Sequence, residues 1–293
     1  MLESFLYSQH FVPVAYSIAV VSILFVDFRR TERGPRLTAD LSAWLFLGFS
    51  LAAILLGRLP ALLYDPQFNP DEAFLAAGAM RWRYGWLNWN ILDGLTSGPL
   101  NFAVLGWPLV FAGDITLTSA RATGVACILG LVFSNFLVAR RLADTGTAIL
   151  ATAPFVLFFA TTTDLDLIHF SSEHFPTLLI AIGIYLVVLA FDTGAQNFLL
   201  VSALVLGAVP FAKIQAAPIA AVVGAFGLMQ AISTADSAKQ AAMRSCGLVA
   251  AALLPALAYL WPLLLSGGLE DAFKSYLTQS HLRAGREWSD HIP

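Results

Sequence analysis

The chain has 293 residues, of which 58% are hydrophobic and 12% are charged, and its formal net charge is −3. A soluble domain carries about 25% charged residues, so this composition excludes an ordinary soluble protein and predicts an integral membrane protein. The small negative charge also excludes the basic surface that binds nucleic acid, so we expect membrane lipids and no nucleic acid as partners.

Apolar runs follow one another along the chain, and several are long enough to cross about 30 Å of hydrocarbon as helices. The first run lacks the basic start and cleavage site of a signal peptide, so we expect it to remain as a span. The sequence therefore predicts an all-α polytopic membrane protein, a single transmembrane domain over 1–293 with about eight transmembrane helices. The runs are 6–26, 41–57, 118–138, 147–161, 176–191, 198–212, 216–232 and 246–265.

Basic residues indicate the orientation, because short connections rich in Lys and Arg stay cytoplasmic. Three such connections fall on one side of the membrane if the spans alternate. The first contains Arg29, Arg30, Arg33 and Arg36, the second Arg140 and Arg141, and the third Lys239 and Arg244. We therefore expect extracytoplasmic loops at 58–117 and 162–175 and an extracytoplasmic tail at 266–293. This tail is a candidate for the start of a further C-terminal region. We expect a bacterial inner membrane, with the active site facing the periplasm or the cell exterior.

The loop at 58–117 is predicted to hold interfacial helices. Residues 99–113 form a short apolar run interrupted by Pro and Gly, which favours a surface-lying or re-entrant helix over a span. Residues 73–89 place Arg81 and Arg83 among several tryptophans, the pattern of an amphipathic helix in the headgroup region.

Asp71 and Glu72 are adjacent acids at the start of this loop's predicted helix. Acids after Pro70 favour the positive end of a helix dipole, which is a purely structural explanation. A carboxylate in the same place can also act as a general base toward a hydroxyl or amine. Because acids near a membrane are functional candidates, we interpret Asp71 and Glu72 as catalytic.

The second outer loop is the densest ionisable cluster in the chain. It contains Asp164, Asp166, His169, Glu173 and His174. The structural alternative is a solvated loop whose last residues cap the next helix. We expect Asp164, Asp166, Glu173 and His174 to contact substrate. His169 and Glu173 have metal-ligand spacing only if the loop is helical. The sequence requires no cofactor. It leaves open whether the site binds a metal ion, and a divalent cation is one alternative.

Two basic residues lie at the predicted outer ends of spans. Lys213 stands between prolines at 210 and 218, and Arg121 starts the third span. Each can simply extend its charged end to the interface. Each can also hold a lipid phosphate, which is the function we expect.

The order of these motifs resembles the GT-C class of polytopic glycosyltransferases, which includes protein O-mannosyltransferases and lipid A aminoarabinose transferases. The resemblance covers about residues 41 to 232. It rests on Pro70-Asp71-Glu72-Ala73, Gly98-Pro99-Leu100, Arg121, Ala139-Arg140-Arg141-Leu142 and Ser172-Glu173.

The resemblance implies a GT-C-like fold and transfer of a sugar from a polyprenyl-phosphate-linked donor to a glycan, lipid or protein acceptor. It implies that Asp71 is the general base, with Glu72 beside it, and that Lys213 contacts the lipid phosphate. Glu173 stands where the family more often has Asp. Two other classes stay open, namely a transporter or flippase of a lipid-linked or small polar substrate, and a structural or assembly subunit.

Overall fold

The computed structural model describes residues 15–24, 37–63, 67, 69–81, 97–111 and 113–274. The regular secondary structure of these residues is helical, and no strand is assigned among them. In chain order the helices are α1 Ala15–Leu24, α2 Leu37–Leu63, α3 Pro70–Arg81, α4 Pro99–Leu105, α5 Trp107–Val110, α6 Leu117–Leu142, α7 Thr145–Thr161, α8 Leu165–Ile168, α9 His174–Thr193, α10 Gln196–Ala212, a 3-10 turn Ile214–Ala216, α11 Ala217–Ser233, α12 Ala238–Ser266 and α13 Leu269–Phe273.

Each predicted apolar run overlaps one of these helices, and residues 6–14 and 25–26 of the first run lie outside the described residues. Within the described ranges, five helices are long and apolar enough to cross a membrane, and three others are apolar but shorter. The all-α membrane class predicted from composition is therefore confirmed, whereas the count of eight spans remains a prediction. The five are Leu41–Leu63, Leu117–Leu142, His174–Thr193, Ile214–Ser233 and Ala238–Ser266; the shorter three are α1, α7 and α10.

The segments predicted as outer loops contain short helices. α4 and α5 have seven and four residues, too short to span the bilayer, as the Pro and Gly of 99–113 predict. α2 continues to Leu63, beyond the predicted end at residue 57, because apolar residues resume after Arg58. Residues 82–96, which include the predicted tryptophan belt, lie outside the described part of the chain, as do 275–293 of the tail.

The chain forms two compact units. Unit 1 comprises Met1–Asn69 and Arg121–Ser171. Its core packs α1, α2, α6 and α7 together, and the rings of Phe46 and Phe136 lie 5.2 Å apart at the centre. α2 and α7 come into backbone contact at Gly57, where an added Cβ would lie 2.1 Å from the carbonyl oxygen of Ala160.

The start of α7 is fixed by a side-chain cap. The Thr147 backbone N–H donates to Asp144 Oδ1 at 2.8 Å, which satisfies a donor that a helix start leaves unpaired. The same hydrogen bond favours the charged carboxylate and lowers the pKa of Asp144.

Unit 2 comprises Pro70–Ala120 and Ser172–Pro293. α10 is its central helix and packs against α9, α11 and α12. Small residues allow this packing, because an added Cβ at Gly207 would lie 2.1 Å from the Ala252 carbonyl oxygen. The short helix α4 contacts both α3 and α10.

Candidate functional site

Lys213 is the centre of a polar cluster in unit 2. It ends α10 in an extended conformation, and its Nζ donates to Ser172 Oγ at 3.0 Å and forms an ion pair with Glu173. Only 12% of the Lys213 side chain is exposed, against 62% for Glu173. The structure therefore brings together two predicted site residues that are far apart in sequence, with the lysine shielded and the carboxylate in solvent.

Asn101 fixes the backbone of this cluster, and the sequence analysis did not identify it. Asn101 is fully buried on α4, and its Nδ2 donates to the carbonyl oxygens of Ser172 at 3.1 Å and Ala212 at 3.0 Å. The Gly98 N–H also donates to Ala212 O at 2.7 Å. These bonds hold the residues next to Glu173 and Lys213 in place. The sequence feature that could have identified Asn101 is its polar amide within the otherwise apolar run 99–113.

An apolar cavity of about 490 Å³ lies among α9, α10, α11 and α12. Gly207, Gly224 and Gly227 contribute to its wall, so the empty volume follows from missing side chains on packed helices. Pro210 and Ala217, on either side of Lys213 in the chain, also line it. The cavity therefore extends to the helix ends that flank the lysine.

Asp71 and Glu72 lie in the first turn of α3, directly after Pro70, as predicted. Asp71 is exposed, whereas Glu72 is only 1% exposed. α3 is held against α4 by an edge-to-face contact of Phe74 with Phe102. Thus α4 supports both the helix that carries the acids and the helix that ends at Lys213.

Arg121, Asp164 and Asp166 belong to unit 1. Arg121 is 3% exposed, and its two terminal nitrogens donate to the carbonyl oxygens of Ala61 and Gln67, each at 2.9 Å. Asp166 Oδ1 accepts a hydrogen bond from Asn69 Nδ2 at 3.0 Å. Asp164 caps α8 by accepting from the Asp166 N–H. The first and second outer loops thus meet within unit 1 through a side-chain hydrogen bond.

The two histidines of the second loop are buried, and residues 169–173 between α8 and α9 are not helical. The helical spacing that metal binding by His169 and Glu173 requires is therefore absent. Within the described ranges, no three His, Cys, Asp or Glu side chains converge as a group that could hold a metal ion. His174 begins α9, directly after Glu173.

Comparison of the chain with known protein families, curated proteins and solved structures finds no match.

Proposed function

We propose that the chain is a glycosyltransferase that moves a sugar from a polyprenyl-phosphate-linked donor to an acceptor on the extracytoplasmic face of the membrane. The observation that carries the proposal is the shielded Lys213, which stands in the chain between Pro210 and Ala217 of the wall of an apolar cavity. A cation that follows such a wall in the chain suits an amphiphile with an anionic head and a hydrocarbon chain, and a polyprenyl phosphate has both.

Lys213 supplies positive charge for the phosphate that leaves in the reaction. Charge that is already in place where negative charge develops is an effective contribution to catalysis. In the described structure this lysine is paired with the exposed Glu173. When the donor binds, its phosphate therefore replaces the Glu173 carboxylate as the partner of Nζ. The lysine is already shielded from water before the donor binds, so donor binding does not have to desolvate it again.

Asp71 is the proposed general base. The acceptor's hydroxyl or amine attacks the anomeric carbon, a new glycosidic bond forms, and the bond to the phosphate oxygen breaks. The acceptor's proton passes to Asp71 and the polyprenyl phosphate departs with the electron pair. The exposure of Asp71, in the first turn of α3, suits contact with an acceptor.

Glu72 has a supporting role in this proposal. Its burial keeps it away from a water-borne acceptor, so it holds α3 and its neighbour in position. The order of elements also supports the proposal. Two acids in α3 precede the short helices α4 and α5, and Glu173 precedes α9, in the order of motifs on which the GT-C resemblance rests.

The proposal is tested in proteoliposomes that contain polyprenyl-phosphate-linked radiolabelled hexose and an extract of envelope acceptors. A transferase moves label into a new, acid-stable product and releases polyprenyl phosphate. A flippase moves intact donor across the bilayer without forming product. Movement of intact donor in the absence of product would replace the transferase proposal with the transporter alternative.

A further inference from the structure

Arg58 is a buried cation that the proposed function does not use. It lies inside α2, in a helix long and apolar enough to cross a membrane, and is only 2% exposed. Its Nε and Nη2 are buried, and neither has a hydrogen-bond partner in the part of the chain that the structure describes.

A bound oxyanion would supply the hydrogen-bond acceptors and the negative charge that the buried Arg58 side chain lacks among the described residues. A guanidinium does not lose its proton in a protein, and a buried charge without a partner is strongly unfavourable. Nε and Nη2 lie on the same edge of the guanidinium, so their N–H groups point in nearly parallel directions. That edge matches the two oxygens of a phosphate or carboxylate in a bidentate contact.

A second guanidinium of unit 1 contacts the same helix. Arg121 donates to the carbonyl oxygen of Ala61, about one helical turn beyond Arg58 on α2. Both cations therefore lie toward the C-terminal end of α2. Arg58 is five residues from the end of α2, about 7 Å along the helix axis at 1.5 Å per residue.

We propose that Arg58 binds a phosphate group near the C-terminal end of α2, the end that Arg121 also contacts. The phosphate is that of a phospholipid headgroup or a free phosphate ion. The proposal is independent of the glycosyltransferase assignment, which depends on Lys213 and Asp71 of unit 2.

The test measures thermal unfolding of the whole purified chain, delipidated in a neutral detergent, by tryptophan fluorescence. Inorganic phosphate, phosphatidylglycerol and diacylglycerol are titrated separately. A ligand that binds only the folded state raises the Tm, by several degrees at about 100 times its Kd. We expect a rise with phosphate, with phosphatidylglycerol or with both, and none with diacylglycerol. A response to phosphatidylglycerol alone identifies a headgroup, and a response to phosphate identifies the free ion.

Arg58→Met removes the site and should abolish the rise, while Arg141→Met, at an exposed arginine of the same unit, should keep it. Without any probe Arg58→Met should be at least as stable as the wild type, because it removes an unpaired charge. Arg58→Lys keeps the charge but not the paired donors, so its response should need at least about tenfold more phosphate.

Three results would overturn the proposal: equal Tm rises in the wild type and Arg58→Met, an equal rise with diacylglycerol, or a loss of stability in Arg58→Met without any probe. If Arg58→Met does not fold, Arg58→Lys decides the matter. An unchanged phosphate midpoint in that variant would contradict the bidentate site.

Discussion

Neighbouring carboxylates at Asp71 and Glu72 have opposite environments, since the first is exposed and the second is buried. A helix start places consecutive residues about 100° apart, so one faces solvent while the other faces the packed side of α3. The two acids are therefore suited to different tasks, with Asp71 available to a substrate and Glu72 to the support of the helix.

Asp71→Asn should abolish most of the transferase activity without unfolding the protein. Asn is nearly isosteric and tolerated at helix starts, but it cannot accept the acceptor's proton. General-base catalysis contributes about 10²- to 10⁴-fold, so turnover should fall by that factor with little change in the KM for donor. Glu72→Gln is the control and should lose less turnover. Near-wild-type turnover of Asp71→Asn would refute its role as base, and loss of folding would favour a structural role.

Lys213→Ala should weaken use of the lipid-linked donor. A charged hydrogen bond contributes on the order of 1–3 kcal/mol, so the KM for donor should rise by about 5- to 150-fold. Glu173→Gln provides the matched comparison, because it removes the lysine's present partner and leaves Nζ for the donor phosphate. Its donor KM should stay the same or fall. Equal increases of KM in both variants would show that the ion pair serves only to hold α9 and α10 together.

At the scale of helices, close backbone contact depends on individual glycines. Gly57 and Gly48 lie on the same helix, α2, but only Gly57 faces another backbone. Gly57→Ala should lower the free energy of unfolding by about 1–3 kcal/mol or more, because its Cβ would overlap the Ala160 carbonyl. Gly48→Ala has nothing within 4 Å of the new Cβ and should be neutral or stabilising. Denaturant unfolding in detergent measures both, and equal effects would contradict the packing of α2 on α7.

The helices themselves were predictable because long apolar runs favour spans, and because Pro and Gly within 99–113 interrupt a span. Their ends were less predictable. Arg58 breaks the apolar run, so the predicted helix ended at Gly57, whereas the structure continues α2 to Leu63 and buries the arginine. A hydropathy pattern predicts that a membrane-spanning helix ends at a charged residue, but tertiary packing determines whether the helix continues past that residue.

The candidate site was only partly predictable for a related reason. Charged residues are rare in this chain, so Asp71, Glu173 and Lys213 were conspicuous. The ion pair of Lys213 with Glu173 joins residues on two different helices, and a sequence pattern does not specify that contact. Asn101 and the small residues that line the apolar cavity were missed because a single amide and several small residues acquire meaning only once the helices are packed.

At the scale of the whole molecule, the proposal requires the acidic loops on the extracytoplasmic side. Single cysteines introduced at Arg33 and Asp166, after replacement of the exposed Cys246 by Ser, should react with impermeant reagents from opposite sides of the membrane. Labelling from the same side would contradict the predicted orientation and the placement of Asp71 on the outer face.

In the proposed function, one amphiphile places its phosphate at Lys213 and its prenyl chain in the cavity among α9 to α12. The most direct measurement is photolabelling with a polyprenyl phosphate that carries a diazirine on its chain, followed by peptide mapping. We predict labels on cavity-lining residues of α10, α11 and α12, displaced by unlabelled polyprenyl phosphate and strongly reduced in Lys213→Ala. Labels confined to other helices, or labels in the cavity that are unchanged in Lys213→Ala, would contradict the account.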